Sequence, residues 1–252
     1  MGVQLPAHEI CVKVQRMAAT EVLCTVTRFK MLTPTVYQLA FRTQPEASFE
    51  AGQFISVIVP GAGPKGRDLR RAYSIASEPE RKEIELCIKL VEGGPGSNYL
   101  YKMREGDTFR GLMPYGDFTY EPRPGKHALF IATGTGIAPF RAMVLSKAYH
   151  QSPAVSAACL IGVRTEDELL YQEDFSHEHI KVKWVPTVSQ PQGEWKNFRG
   201  RVTDYLRQMQ DEFPWLDTEF YLCGNGAMIT EVKALLAEKG VPKESIHQEK
   251  YY

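Results

Sequence analysis

Four short stretches hold residue types that could do chemistry. RAYSIAS, residues 71–77, joins a fixed cation, an aromatic ring and a hydroxyl, with small or apolar side chains just beyond. A guanidinium offers a permanent forked donor set for an anion, and a tyrosine ring can stack on a flat ligand. Strand alternation alone would make the same segment ordinary, with Tyr73 and Ile75 on one face and Arg71 in water. In ALFIATGTGIAP a buried strand ends at Thr133, and Gly134, Thr135 and Gly136 form a tight turn into a helix starting near Pro139. Glycines there let a pyrophosphate approach the backbone, where free N–H groups and the helix dipole favour its charge. EFYLCGNGAMI repeats the device: a strand opens through Gly224, Asn225 and Gly226 into a helix. That puts Cys223 at a carboxyl strand end, where open α/β sheets bind ligands. GGPGSNYL, residues 93–100, supplies another glycine turn, with Ser97 as the expected N-cap of a helix ending at Gly106, and with Gly96 and Ser97 facing an anion. One such pocket in each half of the chain asks for two phosphate-bearing ligands.

These stretches sit in two regions of different rhythm. From about residue 20 to 120 the chain runs through short alternating or apolar segments, among them EVLCTVTRF, TVYQLAFRT, GQFISVIVP and EIELCIKLV, broken by Gly and Pro. That pattern predicts antiparallel strands closing into a barrel or sandwich. After EPRPGKH, the apolar runs ALFIATG, AACLIGVR, KVKWVPTV and EFYLCGNG alternate with helical patterns over APFRAMVLSKAYH, EDELLYQEDFSHE, GRVTDYLRQMQ and AMITEVKALLAEKG. Strand alternating with helix predicts a doubly wound parallel sheet.

Composition narrows the class. The 252 residues carry 30 basic and 30 acidic side chains, a formal net charge of zero, which argues against a dominant nucleic-acid footprint. No apolar run is long enough to span a membrane, and the N-terminus has no signal-like apolar core, so the expectation is a cytoplasmic protein. The five cysteines, Cys11, Cys24, Cys87, Cys159 and Cys223, show no CxxC spacing. Neither a zinc site nor an iron–sulfur cluster is encoded, no metal is expected, and the first four cysteines read as buried thiols.

In order and spacing, the motifs resemble those of the ferredoxin–NADP reductase superfamily of two-domain flavoenzymes, from about residue 20 to the C-terminus. RAYS is similar to the flavin motif RxYS and GGPGSNYL to the flavin-pyrophosphate segment; GLMPYGDF, residues 111–118, is similar to GPxGxF, GTGIAPF to the nicotinamide loop and YLCGNGAMI to CGxxxM. The resemblance implies an antiparallel six-stranded FAD-binding β-barrel followed by a doubly wound parallel-sheet NAD(P)-binding domain. Residues 1–19 would be an N-terminal extension, 20–122 the barrel and 123–252 the nucleotide domain with a C-terminal aromatic tail. FAD would be held without a covalent link by Arg71, Ala72, Tyr73, Ser74, Gly94, Gly96 and Ser97. NADP(H) or NAD(H), as substrate, would lie on Thr133, Gly134, Thr135, Gly136, Pro139, Cys223, Gly224 and Asn225. Ser74 at flavin N5, Cys223 beside the nicotinamide, and Glu249 with Tyr251 from the tail would form the catalytic group. Aligning the chain ends instead makes Tyr252 the residue that covers the flavin and puts Lys250 in the acidic position; Glu249 and Tyr251 are favoured.

Arg164 and Arg201 match cations that would select a 2′-phosphate, while Gln190 stands where many relatives carry arginine; the balance leans to NADP(H). A monomer passing electrons to a separate acidic ferredoxin or flavodoxin is implied, with Lys65, Arg67, Arg70, Lys82 and Lys89 as a basic rim that would steer it. The other functional readings are the NADH-dependent reductase component of an oxygenase, a free flavin reductase, and a non-catalytic electron-transfer or binding subunit.

Overall fold

The computed structural model describes residues 18–121, 123–177, 179–209 and 213–251. Cys11, Tyr252 and most of the extension 1–19 lie outside them. Strands β1 (Thr20–Thr33), β2 (Val36–Gln44), β3 (Phe54–Val59), β4 (Leu69–Ser74), β5 (Ile84–Lys89) and β6 (Thr108–Tyr115) form an antiparallel sheet in the order β4-β3-β6-β1-β2-β5. Alternation decides which side chains enter its core: Val22, Cys24 and Val26 of β1 are buried while Leu23 between them is 42% exposed. The two edge strands meet just past Ser74. Ile75 bridges to Leu86, and the Ala76 N–H donates to the Glu85 carbonyl at 2.8 Å, so RAYSIAS itself closes the barrel.

The second half holds β7 (His127–Thr133), β8 (Ala157–Val163), β9 (Val182–Val188), β10 (Phe198–Arg199), β11 (Thr218–Asn225) and β12 (Ile246–Tyr251), all parallel, in the order β10-β9-β8-β7-β11-β12. Among the described residues the α-helices are α1 (Pro95–Tyr101), α2 (Ala138–Leu145), α3 (Lys147–Gln151), α4 (Gln172–Ser176), α5 (Val202–Gln208) and α6 (Gly226–Glu238). Phe130 and Ala132 of β7 pack on the α2 side, and Leu129 and Ile131 on the α5 and α6 side. Both faces are covered, which is why the strand reads as an unbroken apolar run. The α2-side cluster also takes in Val36, Ala51, Ala76 and Cys87 from the barrel, so a single apolar core runs from one half into the other. Among the described residues, no helix is long and apolar enough to cross a membrane, and no cluster of metal-binding side chains occurs. Cys24, Cys87, Cys159 and Cys223 are buried free thiols.

Four elements depart from the sequence reading. Helix α1 starts at Pro95, with Gly94 and not Ser97 as its cap, and ends at Tyr101 rather than at Gly106. Proline suits a first turn, where a missing N–H costs nothing. The run APFRAMVLSKAYH breaks at Ser146, whose Oγ accepts from the Tyr149 N–H at 3.2 Å and caps α3. EDELLYQEDFSHE is a 3₁₀ turn at Glu166–Glu168 plus the short α4, separated by Tyr171 at a left-handed φ of 59°. The last residues, read as a tail, form β12 beside β11.

Candidate functional site

The nucleotide end of the parallel sheet is built by its topology. From β7 the chain winds to β8, β9 and β10 on one side, then returns to β11 and β12 on the other. The switch point between β7 and β11 is where such sheets open a crevice at their carboxyl ends. The two glycine turns meet there. A Cβ on Gly136 would sit 2.3 Å from the Cys223 carbonyl oxygen, and one on Gly224 2.4 Å from Thr133 Oγ1. The Asn225 N–H donates to Thr133 Oγ1 at 3.0 Å, and Asn225 caps α6 through the Ala227 N–H at 2.7 Å. Gly134, by contrast, has φ +51° and open space where a Cβ would project. Thr133, Gly134 and Thr135 are half-buried, and Pro139 is buried in the first turn of α2. This is a backbone cradle with donors available to a phosphate.

A second cradle lies on the barrel. Gly96 is buried against β4: a Cβ on it would sit 2.4 Å from the Tyr73 hydroxyl and 2.9 Å from Arg71 Cγ. The first intrahelical bond of α1 runs from Asn98 N–H to the Gly94 carbonyl at 3.1 Å, so the amides of Gly96 and Ser97 precede any such partner. The Ser97 hydroxyl faces its own loop, accepting from the Val91 N–H at 3.1 Å, so a ligand would meet Ser97 through its amide. Arg71 and Ala72 are exposed beside Gly96 and the half-buried Tyr73. Cation, ring and free amides on one small patch fit the phosphate and ring of a flavin nucleotide.

Ser74, Cys223, Glu249 and Tyr251 lie between the cradles. Parallel pairing sets Cys223 opposite Glu249 and Asn225 opposite Tyr251. Alternation along β12 then presents Glu249 and Tyr251 on one side and Lys250 toward Gly226 on the other. The Ser74 hydroxyl donates to Glu249 Oε2 at 2.6 Å and accepts from the Tyr251 hydroxyl at 2.8 Å, joining residues 175 and 177 positions apart. Burial raises the Glu249 carboxyl above its ordinary range, and the bond from Ser74 opposes that shift. Burial also pushes the Cys223 thiol and the Tyr251 hydroxyl well up, with the Glu249 charge adding to both. The cysteine therefore stands as a neutral thiol packed at the site, not as a thiolate nucleophile.

Arg164 is exposed just past β8, and its carbonyl accepts from the Gln190 N–H at 2.8 Å, which sets Gln190 beside it. Arg201 is exposed at the start of α5, its N–H held by Asp204 Oδ2 at 2.9 Å. Both stand at carboxyl strand ends. Of the five basic residues near the flavin motif, Lys65, Arg67 and Arg70 lie toward the end of β4 away from Ser74, Lys82 lies in the loop before β5, and Lys89 ends β5. Asp117 and His247, which the sequence reading did not single out, line a cleft of about 300 Å³ beside Glu249. Their only signal was that Asp117 lies within GLMPYGDF and His247 four residues before Tyr251.

Residues 23–120 match the model of an oxidoreductase FAD-binding domain and residues 130–234 that of an oxidoreductase NAD-binding domain. The chain is 32% identical over 231 residues to ferredoxin–NADP reductase B of Sorangium cellulosum (strain So ce56), covering 87% of this chain and 93% of that one. It is 29% identical to the phenol 2-monooxygenase reductase component DmpP of Pseudomonas sp. (strain CF600), covering 88% of this chain but only 63% of that one. In fold it is similar to a ferredoxin NADP+ reductase from Neisseria gonorrhoeae solved with FAD and NADP, with TM-score 0.79, 24% identity, and coverage of 93% of this chain and 100% of that one. With a cradle on each half and both domain models matched, the chain belongs to the ferredoxin–NADP reductase family of oxidoreductases, which bind FAD on the barrel and NAD(P) on the parallel sheet.

Proposed function

We propose that this oxidoreductase passes hydride between NADP(H) and FAD at Ser74 and exchanges single electrons with a separate ferredoxin or flavodoxin. The observation that carries the reading is the Ser74–Glu249–Tyr251 hydrogen-bond chain beside Cys223, set between the two cradles. The flavin supplies the two-electron to one-electron conversion; the protein supplies alignment and electrostatics. Arg71, Tyr73 and the amides of Gly96 and Ser97 would hold FAD. The turn from Thr133 to Gly136, with Gly224 and Asn225, would hold the dinucleotide pyrophosphate. Ser74 would hydrogen-bond the reacting edge, and Glu249 would take or return the Ser74 proton. Arg164 and Arg201 would favour a 2′-phosphate, and the exposed basic residues near Arg71 would draw an acidic carrier.

Stopped-flow reduction of the bound flavin by NADPH and NADH, run side by side, tests this reading. NADPH should give a second-order rate at least about tenfold higher, the worth of one charge-assisted contact. A colourless protein that oxidises neither nucleotide would sink it. The likeness to a phenol 2-monooxygenase reductase component supports a second reading, delivery of electrons from NADH to an oxygenase, which a clear NADH preference would favour.

The terminal aromatic makes a further prediction. On this reading Tyr251, whose hydroxyl donates to Ser74 at 2.8 Å, would cover the flavin face on which a nicotinamide ring has to stack. Tyr251→Ser should then tighten binding of the oxidised nucleotide by about tenfold, as expected if one aromatic contact must be displaced. An unchanged dissociation constant by difference spectroscopy would leave the ring without that role.

A further inference from the structure

Arg141 lies in α2, the helix that begins where the phosphate-binding turn ends, and it is only 7% exposed. A buried cation on an otherwise apolar helix must be paired, because its desolvation costs several kcal/mol. Two of its partners belong to the other half of the chain. Nη1 donates to the Ala76 carbonyl at 2.7 Å and to Glu85 Oε2 at 2.7 Å, while Nε donates to Asp174 Oδ2 at 2.6 Å. The Tyr171 ring lies against the guanidinium at 4.6 Å, held there by the left-handed backbone at that residue, an arrangement that costs about 1–3 kcal/mol. The Tyr171 hydroxyl reaches on to Gln38 of the barrel at 3.5 Å. Glu85, 2% exposed, is gripped from the barrel side by Arg28 at 2.7 Å.

The position of these contacts matters more than their number. Ala76 follows Ser74 by two residues, and the Ala76–Glu85 backbone bond is the one that closes the barrel. One side chain therefore ties the helix beneath the nucleotide cradle to the strand that carries the reacting hydroxyl. The apolar core shared by the two halves holds them together without fixing the direction from which they meet, because hydrophobic contact is non-directional. A buried ion pair adds little net stability but can select one arrangement among several.

We propose that Arg141 is a positioning residue, and that its clasp on Ala76 and Glu85 sets the spacing between nucleotide cradle and Ser74 across which hydride passes. The inference rests on the hydride-transfer reading above. The planar guanidinium meets its partners from fixed directions, which a lysine ammonium cannot reproduce. Misplacement by about 1 Å can cost on the order of 100-fold in rate.

The test uses the FAD-loaded full chain with Arg141→Met plus Glu85→Gln, which removes both charges together and keeps an amide oxygen in place of the carboxylate to accept from Arg28. The flavin should stay bound and the NADP+ dissociation constant should hold within about threefold, while the flavin-reduction rate at saturating NADPH falls about 10- to 100-fold. The primary isotope effect with deuterated NADPH should rise as hydride transfer becomes limiting. Arg141→Lys should bind FAD and show an intermediate saturating rate. A saturating rate within about twofold of wild type, or a loss confined to KM or to flavin content, overturns the clasp; should the double variant not retain FAD, a wild-type rate in Arg141→Lys does so. If the wild-type flavin is reduced by neither nucleotide, the functional reading falls and the clasp's role falls with it.

Discussion

Ser74→Ala should slow reduction of the bound flavin by saturating NADPH about 100-fold, the range of a positioned proton-handling group, while leaving the flavin in place. Ser74 is 5% exposed and sits between Glu249 Oε2 at 2.6 Å and the Tyr251 hydroxyl at 2.8 Å. Alanine removes the acceptor for Tyr251 and the donor for Glu249, at about 1–3 kcal/mol of stability for partners left unsatisfied. The flavin-holding Arg71, Tyr73 and Gly96 are untouched, so binding and rate should separate. Stopped-flow reduction alongside flavin content checks this, and an unaffected rate would remove Ser74 from the reacting edge. A pH signature accompanies it. Glu249 has a raised folded-state pKa, so its contribution to stability is fully present below its unfolded value and is lost as pH rises through the folded value. The bond from Ser74 opposes the rise. Without it, the folded value climbs further, and the pH window over which that contribution is lost should extend upward in the variant.

Gly136→Ala should damage the nucleotide side and spare the flavin side. Its Cβ would meet the Cys223 carbonyl oxygen at 2.3 Å, the Cys223 carbonyl carbon at 2.7 Å and Gly224 Cα at 2.9 Å. All three are backbone atoms, so no side chain can swing away, and the two turns must separate. The expected cost is about 1–3 kcal/mol of stability, as for overpacking elsewhere, with at least about tenfold weaker NADP+ binding. Flavin content should match wild type, because the flavin cradle is on the other half. Thermal unfolding and nucleotide titration read the two effects; a variant unchanged in both would show that the turns do not touch.

Much of this was legible because it is local. A glycine turn after an apolar strand is a pattern of a few residues, and GTG and CGN both fold as the sequence implies, at carboxyl strand ends. The parallel sheet was legible from apolar runs alternating with helical ones. Helix ends were less so, because capping competes with other uses of the same side chain. Ser97 looked like a cap, but with Pro95 in the first turn the cap falls three residues earlier, at Gly94, and the hydroxyl is left to its own loop.

The sequence by itself determined the two fold classes, the order of the motifs and the residue types brought to the site. Only the tertiary structure decided who meets whom. That RAYSIAS closes the barrel depends on Ile75 finding Leu86, and that Glu249 rather than Lys250 reaches Ser74 depends on the parallel register of β12 against β11. A one-residue slip would have exchanged them. Arg141 carried no local signal beyond a charge on an apolar helix, since its partners Ala76 and Glu85 lie 65 and 56 positions away. Periodicity states which face a side chain takes; it does not state what lies opposite, and that is settled by which distant surfaces can bury one another.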